Sequence, residues 1–81
     1  MALTAESIIE YIVRHCGGRE EDLERDALLF STGVLDSFSL VDLITFVEAE
    51  VGIKVKPTEV TLDNFDAVDR ILAFVARKTD G

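Results

Sequence analysis

Asp36-Ser37 places a carboxylate beside a hydroxyl where a turn gives way to a long apolar-periodic run, Gly33-Val34-Leu35-Asp36-Ser37-Phe38-Ser39 and onward. A serine at that point can cap a helix, attack a substrate, or be modified by another protein. Attack requires a base held by a third group. His15 is the single histidine, and it falls near the C-terminal end of another predicted helix, where a cation suits the last carbonyls. The G-x-S-x-G elbow is absent, as are the glycine patterns of nucleotide binding. Carboxylates abound, but no pair is singled out for acid–base work. No residue is predicted to be catalytic, and the chain is not expected to be an enzyme. Ser37 is then either an ordinary helix cap or the acceptor of a group that another protein installs. A phosphate on Ser37 would sit near free N–H groups and the positive end of the helix dipole. Asp36 opposes that charge slightly, but an acid would help a metal ion or a basic enzyme approach.

The elements that must hold this serine follow from periodicity and punctuation. Residues 4–16 predict a first helix, capped by Thr4, with Ile8, Ile9, Ile12 and Val13 on one face. Gly17-Gly18 ends it. Residues 19–36 lack a sustained period. They form a long acidic loop, with a short turn near Glu20–Leu23 and with Leu23, Leu28, Leu29 and Phe30 pinned to the core. Glu20, Glu21, Asp22, Glu24 and Asp26 lack the ligand spacing of an EF-hand loop, so this cluster reads as solvated, and no metal site is predicted. Ser31-Thr32-Gly33 reads as a turn.

Residues 37–51 predict the strongest helix, capped by Asp36 and stopped by Gly52. Leu40, Leu43, Ile44, Val47 and Val51 make its inward stripe. Phe38, Val41, Thr45 and Ala49 then face away from the core, bordered by Asp42 and Glu48. Several apolar residues in a row on an outer face suggest a docking surface. Ile53–Lys56 reads as an extended connector ended by Pro57. Thr58–Phe65 predicts a short helix with Thr61 as cap and Leu62 and Phe65 as anchors. Asp66–Lys78 predicts the last helix, with Val68, Ile71, Leu72 and Val75 inward, Asp66 at its positive end, and a frayed tail after it. The fold class is all-α: one domain spanning residues 1–81, a small four-helix bundle of three longer helices and one short.

Composition agrees with this class. Hydrophobic residues make up 48% of the 81, so the chain is too apolar to be disordered. Trp is absent, so Ile, Leu, Val, Ala and five Phe must build the core. Sixteen acids against eight bases give a net charge of −8. That charge disfavours nucleic acid, whose phosphates need a basic surface, and attracts basic patches on partner proteins. Cys16 is the sole cysteine, which fits a reducing compartment and a buried structural thiol. No segment has the length of a membrane span. The expectation is a cytoplasmic, soluble monomer that binds neither nucleic acid nor membrane.

From Leu28 to Val75 the chain resembles acyl and peptidyl carrier proteins. The likeness runs through Leu28-Leu29-Phe30, Gly33, Leu35-Asp36-Ser37-Phe38, Val41-Asp42-Leu43, Glu48, Glu50, Gly52-Ile53, Pro57 and Asn64-Phe65-Asp66. It implies that Ser37 carries covalent 4′-phosphopantetheine, with Asp36 beside the attachment point. A phosphopantetheinyl transferase would install the arm from coenzyme A with a divalent metal. Phe38, Val41, Asp42, Thr45 and Glu48 would form the surface read by partners. Those would be an adenylating (loading) enzyme and acyltransferase, ketosynthase or condensation enzymes. The arm would hold an aminoacyl or acyl group as a thioester, and the apolar core could shelter a short cargo. Phe38 in place of leucine, Ser39 in place of an acid, and Lys54 and Lys56 in a usually acidic region depart from fatty-acid carriers. The closer likeness is to discrete carriers of polyketide or nonribosomal peptide antibiotic pathways, acting in trans. D-alanyl and fatty-acid carriers, and an unmodified helical interaction module, are the alternatives.

Overall fold

Thr4 begins the first helix by closing a capping box with Ser7: the Ser7 N–H donates to Thr4 Oγ1 at 3.1 Å, and the Thr4 N–H donates to Ser7 Oγ at 3.0 Å. The computed structural model describes residues 3–33 and 35–80, excluding the side chains of Glu20 and Asp80. Helix α1 spans Ala5–Tyr11 and runs on into a π-helical turn, Ile12–Cys16, which ends at Gly17 in the left-handed region (φ 75°). Ala5, Ile8 and Ile12 are buried. Val13, expected on the same face, is 38% exposed. It lies one residue beyond Ile12, about 100° round the helix, and the inward positions are already filled.

Helix α2 spans Ser37–Val51, with Asp36 as its cap and Gly52 at its left-handed stop. Leu43 and Val47 are fully buried, and Leu40, Ile44 and Val51 pack against them. The extended connector then places Ile53 and Val55 against the core. Pro57 opens a single 3-10 turn, Pro57–Glu59, rather than only closing the connector. Helix α3 is one turn, Leu62–Phe65, and α4 spans Val68–Asp80. Phe65 is buried as expected, while Leu62, also expected to anchor this helix, is 52% exposed. Thr61 precedes α3 in extended conformation without a side-chain capping bond. Helix α4 begins two residues later than expected and continues through Thr79, whose hydroxyl donates to the Val75 carbonyl at 2.9 Å. Gly81 lies outside the described residues.

The result is an all-α bundle of three longer helices and one short one, closed on a single core. Phe65, Ile8, Ile12, Leu43, Val47, Val68 and Ile71 fill the space between the helices. Tyr11 stacks on Phe46 with ring centroids 4.3 Å apart, joining α1 to α2. No described helix is long and apolar enough to cross a membrane.

The long loop between α1 and α2 is held from the opposite end of the chain. Leu23 and Leu29 are fully buried, whereas Leu28, also expected to pin the loop, stays 38% exposed. Asp66 is 2% exposed and does not serve merely as a charge at the start of α4. Its Oδ1 accepts from the N–H groups of Phe30 (2.7 Å) and Ser31 (3.0 Å), its Oδ2 accepts from the Ser31 hydroxyl, and its carbonyl accepts from the Leu29 N–H (2.7 Å). Nearby, Arg25 Nε donates to Asp69 Oδ1 at 2.8 Å, and the Asp69 N–H donates to the Arg25 carbonyl at 2.9 Å.

Burial pushes the Asp66 carboxyl up, but the donors from Ser31, Phe30 and Leu29 outweigh it and leave it below its usual 3.8. A carboxyl lowered on folding contributes stability above its unfolded value and loses it as pH falls through the folded value. The melting temperature should therefore drop below about pH 4. Asp66→Asn should lower it at neutral pH and flatten its acid limb. An equally steep acid limb in Asp66→Asn would assign the acid sensitivity to other carboxylates.

Candidate functional site

Ser37 is the first residue of α2 and is exposed. Asp36 precedes it in extended conformation (φ −103°, ψ −178°), which turns its side chain back over the helix end. Its Oδ1 accepts from the Ser39 N–H at 2.9 Å, and its carbonyl accepts from the Leu40 N–H at 3.1 Å. Hydrogen bonding from the backbone and side chain of Ser39 holds the Asp36 carboxyl below its usual range. The expectation that a group on Ser37 would meet free N–H groups is thereby narrowed. The cap carboxylate already occupies the Ser39 N–H and sits at the favourable end of the dipole. What Ser37 offers is an accessible hydroxyl on a fixed first turn.

Ser39 is 8% exposed. Its carbonyl lies 4.0 Å from Cys16 Sγ, which donates to it. Burial pushes the Cys16 thiol up, as expected for a structural cysteine. The first turn of α2 is thus anchored to the end of the π-helical turn on its inner side, leaving Ser37 outward.

The outer side of α2 carries Phe38 (83% exposed), Val41 (62%), Asp42, Thr45 and Ala49. The Thr45 hydroxyl donates to the Val41 carbonyl at 3.0 Å, which uses its proton within the helix. Glu48 stands apart from the free charges of this strip. It is half-buried, and its Oε2 accepts from the Val55 N–H at 2.8 Å, tying the connector to the last turns of α2. Side-chain periodicity could place Glu48 at the border of the strip but could not show that a backbone N–H from the connector reaches it.

The remaining sequence candidates do not assemble with Ser37 into a reacting group. His15 packs against Tyr11 with its ring tilted by 33° and centroids 4.6 Å apart. Among the described residues, no three of His, Cys, Asp and Glu converge as a metal-binding cluster. Phe65, Leu43, Val47 and Ile71 occupy the interior, so cargo sheltered there would have to displace them.

No family model matches the chain. It is 37% identical over 60 residues to the D-alanyl carrier protein of Lactococcus lactis subsp. cremoris (strain MG1363), a match covering 74% of this chain and 73% of that protein. The chain belongs to the carrier-protein family. It is also 36% identical over 58 residues to the D-alanyl carrier protein of Abiotrophia defectiva, covering 72% of this chain and 71% of that protein. A third relative is the lincomycin biosynthesis protein LmbN of Streptomyces lincolnensis, 44% identical over 62 residues. That match covers 76% of this carrier-family chain but only 22% of the relative.

The exposed strip and the core differ in what truncation should do. Phe38→Ala and Val41→Ala should each change stability by no more than about 0.5 kcal/mol, since surface changes away from special contacts cost little. Leu43→Ala should cost about 2–5 kcal/mol. Chemical denaturation of the three variants tests this. A loss in Phe38→Ala comparable to that in Leu43→Ala would mean that Phe38 packs inward.

Proposed function

We propose that this chain is a carrier that holds an aminoacyl or short acyl group as a thioester on 4′-phosphopantetheine, attached through Ser37 Oγ. The observation that carries the reading is an exposed serine opening the longest helix, directly after its capping aspartate, in a member of the carrier-protein family. Ser37 suits the group: its hydroxyl is at the surface, its first turn is fixed by Asp36 and Ser39, and the neighbouring Phe38 and Val41 leave an open apolar strip. When bound, the group supplies a thiol on a flexible arm, which keeps the acyl unit activated and mobile.

The chain's own residues position and present; none is assigned a catalytic role. Ser37 offers the hydroxyl. Asp36 fixes the helix start and gives the site a negative charge that a basic transferase or its metal would approach. Phe38, Val41 and the Thr45 methyl offer apolar contact to partner enzymes, and Asp42 sets the charge beside them. The partners implied are a phosphopantetheinyl transferase, an adenylating enzyme, and acyltransferase, ketosynthase or condensation enzymes.

Within this class, the reading is a carrier of polyketide or nonribosomal peptide antibiotic assembly, supported by the likeness to a lincomycin biosynthesis protein. The matches to D-alanyl carriers, over nearly three quarters of their length, favour D-alanine loading as the second reading. Both place an activated amino or acyl unit on the arm.

Incubation with coenzyme A, magnesium and a broad-specificity phosphopantetheinyl transferase should add one phosphopantetheine to the wild type and none to Ser37→Ala, read by intact mass. If a transferase active on a control carrier adds nothing to the folded wild type, the carrier reading fails, and an unmodified helical interaction module takes its place. The modified protein, offered D-alanine or other amino acids with matching adenylating enzymes, then separates the two cargo readings.

Asp42→Lys should slow loading at low salt by reversing a charge on the docking strip, and the difference should shrink as salt rises. Stopped-flow or quenched loading kinetics at two ionic strengths measure it. Unchanged low-salt kinetics would remove Asp42 from the docking surface.

A further inference from the structure

The segment that leads into Ser37 is a closed loop. At its start, the Leu29 N–H donates to the Asp66 carbonyl at 2.7 Å; at its end, the Leu35 N–H donates to the Leu29 carbonyl at 2.8 Å. Both leucines are buried. Within the loop, the Gly33 N–H donates to the Phe30 carbonyl at 3.2 Å, with Gly33 in the left-handed region at φ 81°. The Thr32 hydroxyl braces the same turn by donating to the Leu28 carbonyl at 2.7 Å. The Asp66 side chain grips the loop through the Phe30 and Ser31 N–H groups and the Ser31 hydroxyl. Only Asp36 separates Leu35 from Ser37, and it is extended. The anchorage of Leu35 therefore determines from which direction the chain enters α2 and what flanks the serine.

We propose that Asp66 is a positioning residue for the modification of Ser37. It lies near the start of α4, and it fixes the loop that carries Asp36-Ser37 into α2. The inference rests on the assignment of Ser37 as the attachment point. Two properties distinguish Asp66 from a core residue of equal burial. It bonds to the loop's backbone directly, and it does so through acceptors alone. An asparagine can reproduce the pattern, with its oxygen accepting from both N–H groups and its amide donating to the Ser31 hydroxyl, which can serve as donor or acceptor. An alanine cannot, and it would leave three donors without their partner.

The test compares phosphopantetheine transfer from coenzyme A to Asp66→Ala, Asp66→Asn and Ile71→Ala, at a temperature where circular dichroism shows each folded. Ile71 is fully buried in α4 and belongs to the apolar core, so its variant reports lost stability alone. Asp66→Ala should lose about ten- to a hundredfold in kcat/KM relative to Ile71→Ala, the scale expected when a reacting group is misplaced by a remote change. Asp66→Asn should recover most of that loss. Transfer to Asp66→Ala as fast as to Ile71→Ala overturns the proposal, as does an Asp66→Asn variant no better than the alanine.

Amide chemical shifts of Leu35, Asp36 and Ser37 supply a readout that needs no transferase. They should move in Asp66→Ala and stay in place in Ile71→Ala; the reverse pattern also overturns the proposal. If the wild type accepts no phosphopantetheine, the carrier reading fails, while these shifts still decide whether Asp66 places the serine. Should Asp66→Ala not fold, Ser31→Ala replaces it, since Ser31 is exposed and the change removes one arm of the clamp. It should slow transfer severalfold, and a wild-type rate would overturn the proposal.

Discussion

A buried carboxylate ties the two ends of this fold together. Asp66 sits beside α4, yet its acceptors serve Phe30 and Ser31, more than thirty residues earlier in the chain. An ionised group taken out of water costs several kcal/mol unless its lone pairs are filled. Here two N–H groups and a hydroxyl fill them, and no described buried side-chain N or O atom lacks a partner. The loop gains as much as the aspartate, because its own N–H groups would otherwise face the interior unpaired. A loop without internal periodicity is thus held by specific hydrogen bonds just before the helix that begins with Ser37.

The constraint matters more because the apolar core is small. A chain of 81 residues buries limited surface, and here that surface comes from three helices, a one-turn helix and three leucines of the loop, Leu23, Leu29 and Leu35. Short polar latches complete the packing at several edges. Glu48 holds the Val55 N–H, Glu59 pairs with Lys78 at 2.8 Å, and Arg77 donates to Asn64 Oδ1 at 3.0 Å. The outer face of α2 makes few such commitments around Ser37. Phe38 and Val41 remain exposed while their helical neighbours Leu43 and Val47 close the core. Apolar surface left uncovered on a domain this small is a cost in solubility that docking of another protein would offset.

The sequence was most legible where a single local rule decides the structure. Asp36 and Gly52 bound α2 because capping and left-handed termination are local events, and its spacing of three and four sorted inward from outward residues. Thr4 marked α1 for the same reason. Features that depend on the rest of the fold escaped. The π-helical turn at Ile12–Cys16 changes hydrogen bonding without changing composition. Leu28 and Leu62 look like anchors by type but lie exposed, because hydrophobicity does not say which member of a short apolar run reaches the core. By position Asp66 reads as a charge on a helix dipole. Its real partners are main-chain N–H groups of a distant loop, and no periodicity encodes a polar contact across that separation. The candidate site divides the same way: the Asp36-Ser37-Phe38 helix start was visible, while Ser39 against Cys16 and Glu48 against Val55 needed the tertiary structure.

Charge is unevenly distributed along the chain, and this bears on how partners would approach. Residues 1–51 hold eleven of the sixteen acids and three of the eight bases, while residues 52–81 hold five of each. The whole net charge of −8 therefore belongs to the part that contains α1, the long loop and α2. Lys78 in α4 is already paired with Glu59, which mutes its pull on an incoming acidic surface. A basic protein is steered toward the half of the sequence that includes Ser37, and steering raises the encounter rate more than the affinity. For a carrier that must leave each partner once its cargo has moved, fast encounter with weak retention is the useful combination. On the proposed function, the apolar strip of Phe38 and Val41 would set register once electrostatics has brought the surfaces together, and the contacts of Asp66 with the loop would keep the serine presented in that register in one place.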